Sequence, residues 1–221
     1  MNYYLLANLL VCVFAFSGFV YGARQFFRPG KAFYGKMLTL AFLCVVIGRI
    51  FNIARIMSGG IFIGRFQLGT LGIIGSFMFF YSSNYGALDS IVDDGTGTFR
   101  KYRLIGMIAP VTVVFLYFPL FFAGNISNVW KVQGAVLLFF MALCSYFHLK
   151  HLVIPDVDLG VVKNLRPYNL LALCYMGSSI VECYAMSRDN RILTLVTACF
   201  SAAFLVLMMP FVSRGLKKSV R

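Results

Sequence analysis

Seven stretches of the chain run for the length of a membrane-crossing helix with almost no charge in them. A helix needs ~20 predominantly apolar residues to traverse the hydrocarbon core of a bilayer. Residues 3–22, 37–57, 67–91, 104–123, 132–149, 167–186 and 192–211 meet that requirement. Membrane-spanning strands do not fit, since barrel strands are ~10 residues of strict apolar/polar alternation. These runs are about twice as long and apolar on every side. Composition agrees: 60% of the 221 residues are hydrophobic and 12% charged, whereas a soluble domain carries roughly a quarter charged residues. A disordered chain, a coiled coil, a secreted disulfide scaffold and a soluble enzyme are excluded. The expected fold is an all-α membrane protein, one seven-helix transmembrane domain over residues 1–213 followed by a basic tail at 214–221. The longest connections, 23–36, 92–103 and 150–166, leave no room for a soluble domain. Pro110, Pro119 and Pro210 fall inside spans, which membrane helices tolerate where neighbours satisfy the freed carbonyls.

The net charge of +13 would suit a nucleic-acid partner, but the placement of the charges argues otherwise. One set of connections carries Arg24, Arg28, Lys31, Lys36, Arg100, Lys101, Arg103, Lys150, Lys163, Arg166, Arg214, Lys217, Lys218 and Arg221. The opposite set holds only Arg65, Lys131, Arg188 and Arg191. A bias of 14 to 4 predicts the N-terminus outside, the C-terminus in the cytoplasm and a plasma or inner membrane location. The basic excess then serves topology and attraction to anionic lipid, not nucleic acid. Positive charge follows the first apolar run and does not precede it, so that run is expected to be an uncleaved helix. Tyr3, Tyr4 and Trp130 fall at outer boundaries and Tyr21, Tyr34, Tyr102 and Tyr168 at inner ones, as interfacial belts.

Enzyme chemistry finds little support. All six cysteines lie in spans without C-x-x-C spacing and read as small packing residues. His148 and His151 share a face at the inner end of the fifth span, with Asp156 and Asp158 following. That set reads as an interfacial polar cap, not a metal centre, and no cofactor is expected. A seven-span zinc hydrolase needs more histidines. A retinal protein needs a lysine in its last span. Serine and aspartyl intramembrane proteases need groups at matched depth that are absent here.

The polar residues inside the spans carry the functional expectation. A charge at mid-bilayer costs at least ~2.5–3.5 kcal/mol, so such groups face the bundle interior and pair. At 1.5 Å per residue, Arg49 lies about 18 Å above the inner boundary, Asn52 and Glu182 about 22 Å, and Arg55 about 27 Å. Arg49, Asn52, Arg55 and Glu182 are therefore the candidate ligand-binding set. Arg49 would recognise an anionic or zwitterionic small molecule, with Glu182 as its counter-ion. A closed Arg49–Glu182 pair that only fixes helix register is the competing reading.

The third span carries Gly69, Gly72, Ser76, Phe79, Ser83, Gly86 and Ser90 at three-four spacing, a seam of small residues for close helix packing that predicts a central helix. Its inner end, with Asp89, Asp93, Asp94, Arg100 and Arg103, forms a second, cytoplasmic charged cluster. Basic partners for its carboxylates are expected from 24–36 or 100–103, because acidic groups oppose the dipole at a helix C-terminus. Thr194, Thr197, Ser201 and Phe204 of the last span repeat the spacing of Gly69, Gly72, Ser76 and Phe79. The chain thus divides as three spans, a linker span and three spans. Such parallel repeats place substrate sites at the repeat interface. The expected function is a small-molecule-binding sensor or receptor-like protein working with a membrane partner; the alternative is a small-solute transporter.

Overall fold

A computed structural model of the chain describes residues 2–59, 66–89, 92–93, 95–122, 127–155 and 161–218. Most of these residues are helical, and no strand occurs among them. The helices are α1 (Tyr3–Phe26), α2 (Phe33–Met57), α3 (Leu68–Asn84), α4 (Arg100–Gly106), α5 (Ile108–Tyr117), α6 (Asn128–Val153), α7 (Val161–Ser187) and α8 (Arg191–Lys218). Polar side chains start several of them. The Asn2 side chain accepts from the Tyr4 N–H, Ser127 from Trp130, and Asn190 from Leu193, each satisfying an orphan donor of a first turn. Six segments are long and apolar enough to cross a membrane, α4 and α5 counting together as Gly97–Phe122. In α3 the α-helical part is shorter, at 17 residues, and is continued by a π turn over Tyr85–Asp89.

The fourth and third rods break for identifiable reasons. The fourth is interrupted at Met107, so that Pro110 falls in the first turn of α5, where its missing N–H leaves nothing unsatisfied. Pro119 falls in a 3-10 turn over Phe118–Phe122. Only Pro167 and Pro210 lie within continuous helix. The π turn after α3 changes which residues share a face. Positions five apart in an α-helix point about 140° apart, whereas a π turn closes around five residues. Asn84 and Asp89 are thereby both aimed at α6, where each meets His151.

α1, α2, α3, α6, α7 and α8 close into a ring in that order, with α8 packing back on α1, while α4 and α5 lie outside against α6. The third helix is thus a ring member between α2 and α6, not the axis of the bundle. The small-residue seam accounts for half of its length. Gly69 and Gly72 lie against Gly48 and Cys44 of α2, and Ser76 and Ser83 are fully buried. Phe79 is only partly buried against the core, Gly86 faces open space, and Ser90 lies outside the described residues. The interior is filled by rings: Phe77 stacks on Tyr175 at 5.9 Å, and Phe80 sits edge-on to Phe42 at 6.3 Å and to Tyr175 at 6.3 Å. All four are at most 1% exposed, so this layer separates the two ends of the ring.

A methyl group at Gly72 would lie 2.5 Å from the Cys44 carbonyl oxygen and 2.6 Å from Gly48 Cα. Both neighbours are backbone and cannot rotate away. Gly72→Ala is expected to cost 1–3 kcal/mol, about the usual penalty of overpacking. Gly177→Ala, where nothing lies within 4 Å, should change stability by less than ~1 kcal/mol. Thermal unfolding of the two variants in the same detergent measures the difference.

Candidate functional site

At the end of the ring where α1 begins, four side chains from three helices form one buried polar cluster. Arg49 of α2 presents both terminal nitrogens to Glu182 of α7, Nη1 to Oε1 at 2.6 Å and Nη2 to Oε2 at 2.8 Å. This is the bidentate fork, the strongest ordinary geometry for the pair. Asn8 of α1 joins them, its Oδ1 accepting from Arg49 Nη1 and from Asn52 Nδ2, both at 3.2 Å. The Asn8 amide nitrogen donates to the Tyr4 carbonyl at 2.8 Å. Arg49, Asn8, Asn52 and Glu182 are each at most 4% exposed. The sequence reading placed Arg49, Asn52 and Glu182 at one depth and missed Asn8. The signal for Asn8 was present, as a lone amide between the apolar residues Ala7 and Leu9.

Arg55 does not join this cluster. Its Nη1 donates to the Phe66 carbonyl at 2.9 Å, one turn and a half further along α2 and half-exposed. The surplus positive charge that two arginines would bring against one glutamate is therefore not gathered at one point.

A small cavity of about 40 Å³ opens beside Arg49, between α2, α3, α5, α6 and α7. Its polar lining comes from Arg49, Asn52, Gln67, Thr70, Gln133 and Ser187, with the Tyr117 and Trp130 rings completing the wall. At ~10–15 Å³ per water this holds about three waters or a carboxylate-sized head group. The Gln133 side chain braces the wall. Its Oε1 accepts from the Gln67 N–H at 2.9 Å and its Nε2 donates to the Gln67 carbonyl at 3.0 Å, tying the start of α3 to α6. Arg49 Nε and the Tyr175 hydroxyl are buried without a hydrogen-bond partner among the described residues. Such groups call for water or a ligand. Trp130, near the start of α6, forms part of the cavity wall.

The opposite end of the ring holds the second cluster. Lys150 of α6, its side chain 3% exposed, bridges Asp89 at 2.6 Å and Asp93 at 2.7 Å. Arg103 of α4 forks onto Asp93 through Nε and Nη2, at 2.8 and 2.6 Å, and Nη2 also donates to the Thr96 carbonyl. Of the basic partners expected, Arg103 is in place, while Lys150 was not foreseen. Arg100 is exposed and outside this cluster, and Asp94 lies outside the described residues. The Arg103 guanidinium, with the Lys150 ammonium and the Gly95 N–H, holds the Asp93 carboxyl well below the usual carboxylate range. Asp189, in the turn between α7 and α8, is likewise lowered, by the hydroxyls of Tyr3 and then Tyr4 that donate to it.

His148 and His151 are fully buried and not a cap facing headgroups. Tyr34 and Tyr168, expected at the inner boundary, are buried with them. Tyr34 donates to Asn84 Oδ1 at 3.2 Å, and Tyr168 lies 3.1 Å from His148 Nε2. Asp156 and Asp158 lie outside the described residues, and no group of three or more His, Cys, Asp or Glu with metal-holding geometry occurs among the described ones.

By helix length and composition this is an integral, multi-pass membrane protein of the helical-bundle class, with a buried polar cluster at each end of its ring. No protein family, no curated protein and no solved structure matches the chain.

Removing one member of a buried ion pair strands the other, at a cost of about 3–5 kcal/mol. Glu182→Gln and Arg49→Met are each expected to lose most of their folded yield. The exchange Arg49→Glu with Glu182→Arg should recover part of it. Size-exclusion recovery and melting in detergent read this out.

Asp93 supplies a pH signature. Because its pKa is depressed in the fold, its contribution is present above the ordinary carboxylate value of ~3.9 and is lost as pH falls through the native value. Asp93→Asn should therefore melt below wild type at neutral pH, and the gap should close as pH drops below ~3.9. A gap that stays constant across the acid range contradicts the assignment.

Proposed function

We infer that the protein is a small-molecule-binding sensor or receptor-like membrane protein whose ligand enters the cavity beside Arg49. The observation that carries this reading is a cavity lined in part by polar side chains, beside a buried guanidinium whose Nε makes no hydrogen bond among the described residues. A guanidinium meant only to fix helix register would be expected to have its remaining donor satisfied by protein. The first turns of α3 and α6, which contribute Gln67, Thr70, Trp130 and Gln133, point positive dipole ends at the same space and favour a negative group there. Glu182 already balances the Arg49 charge, and among the described residues no other cation lines the cavity. A zwitterion with a carboxylate head therefore suits it better than a net anion. With the basic loops in the cytoplasm, the cavity faces outward and the charged cluster around Lys150 faces the cell interior. Signal output would then pass through a membrane partner bound at that inner face, at the plasma membrane.

A transporter is the second reading, favoured by one feature. The ring order α1, α2, α3 and then α6, α7, α8, with the fourth rod outside, is what a pseudo-two-fold between two three-helix halves requires.

The readings separate in reconstituted protein. With free amino acids and short dicarboxylates as probes, a ligand at about a hundred times its Kd adds ~2.7 kcal/mol of stability. The expected result is a zwitterion-dependent rise in melting temperature that Thr70→Leu, which fills the cavity, abolishes without lowering the unliganded melt. Counterflow of the same solute in proteoliposomes would favour transport over sensing. Absence of both effects across the probe set rejects the cavity as a ligand site.

A further inference from the structure

The two histidines of α6 sit one turn apart and are equally buried, yet their surroundings differ in hydrogen-bond character. His148 Nδ1 lies 2.8 Å from the Cys144 carbonyl oxygen, to which it donates. Its Nε2 lies 3.1 Å from the Tyr168 hydroxyl and 3.1 Å from Asn84 Nδ2, both able to donate. With Nδ1 giving to the carbonyl and Nε2 receiving, the neutral ring satisfies these contacts; the Asn84 amide nitrogen, which also lies 3.2 Å from Nδ1, gives to Nε2.

His151 meets oxygen on both sides. Its Nδ1 is 3.3 Å from Asn84 Oδ1 and its Nε2 is 3.0 Å from Asp89 Oδ1. The Asn84 amide is oriented by its other neighbours, with Nδ2 on His148 and Oδ1 accepting from the Tyr34 hydroxyl. An amide oxygen and a carboxylate oxygen accept only. Both contacts of His151 therefore become hydrogen bonds only when both ring nitrogens carry hydrogen. In the neutral ring one lone pair is turned toward an oxygen.

We propose that His151 is a proton-binding site, loaded from the aqueous face at the basic-loop end through Asp89. The Asp89 side chain is 18% exposed while His151 is wholly enclosed, so the carboxylate is the link to solvent. A proton taken up on the Asp89 carboxylate passes to His151 Nε2. One O–H bond breaks, one N–H bond forms, and the carboxylate is left as the anion facing the new imidazolium. The charged and titratable groups around the ring are Asp89 and Asp93 after α3, and Lys150 and His148 on its own helix. Arg103 of α4, Tyr34 of α2 through Asn84, and Tyr168 of α7 through His148 complete the set among the described residues. Lys150 and Arg103 already balance the two aspartates. Uptake adds one positive charge to an otherwise neutral cluster. The loaded ring ties the end of α3 to α6 with two bonds, and the unloaded ring keeps one. This site is separate from the cavity and stands without a ligand there.

The test is ring nitrogen NMR of the full chain, labelled with ¹⁵N-histidine, in lipid nanodiscs between about pH 8 and about pH 5. One ring is expected to acquire hydrogen on both nitrogens on acidification, while the other stays a neutral Nδ1–H tautomer. The titrating signal should be the one missing in His151→Gln, and Asp89→Asn should lower its proton affinity roughly tenfold or more. Where His151→Gln fails to fold, His148→Gln must retain the titrating signal, or Tyr168→Phe must move only the other. A His151 ring that stays neutral over the whole range, or titration of His148 in its place, overturns the proposal.

Discussion

A guanidinium and a carboxylate held face to face inside an apolar ring govern how this bundle closes. α2 and α7 are not neighbours around the ring, so the Arg49–Glu182 fork spans its interior. Taking two ions out of water is costly, and the cost is recovered only with near-ideal geometry and further hydrogen bonds. Both conditions are met, by the paired contacts at 2.6 and 2.8 Å and by Asn8 from α1. Three helices are thereby fixed in depth relative to one another. A slip of one residue along α2 or α7 would separate the charges and strand both, and a slip along α1 would take Asn8 off Arg49. The aromatic layer of Phe42, Phe77, Phe80 and Tyr175 lies next along the axis. It keeps the ion pair out of contact with the other end, in surroundings where the attraction is strong.

Each end of the ring is organised around one asparagine. Asn8 collects Arg49 and Asn52, while Asn84 collects Tyr34, His148 and His151. An amide both gives and receives, and is uncharged, so it can join groups that would repel or leave one another unsatisfied. Buried networks of this kind specify a unique arrangement only when complete. The network around Asn84 is nearly so. The one around Asn8 is left open at Arg49 Nε and the Tyr175 hydroxyl, and Arg49 also lines the cavity.

The spans were legible because lipid imposes a length and a polarity on any crossing helix. Depth arithmetic was enough to bring Arg49, Asn52 and Glu182 level, since two helices running the same way share a scale. It could not show that Arg55 turns to the Phe66 carbonyl, because a long side chain near a helix end reaches water or backbone as readily as a partner. The π turn after α3 was illegible for a different reason. Face assignments from sequence assume a constant period, and one widened turn rotates Asp89 onto the face of Asn84. That rotation brings Asp89 onto Lys150 and His151 of α6, which are buried there. The small-residue seam failed at Gly86 for the same reason: beyond Asn84 the seam no longer lies on one line.

The two clusters share one structural junction. α3 is joined to α6 at its start by Gln67 and Gln133, and at its end by Asn84 with both histidines and Asp89 with Lys150. Between α3 and α2 the glycine contacts leave no slack, so α2 moves with α3 and Arg49 moves with α2. Any opening of the α3–α6 seam therefore shifts the cavity wall and the His151 contacts together. Coupling between two sites requires an element that both of them bias, and in this ring the seam between α3 and α6 is the element both clusters touch. A ligand that holds Gln67 against Gln133 and a proton that holds Asn84 and Asp89 against His151 would then favour the same closed seam. By reciprocity, each would raise the affinity for the other.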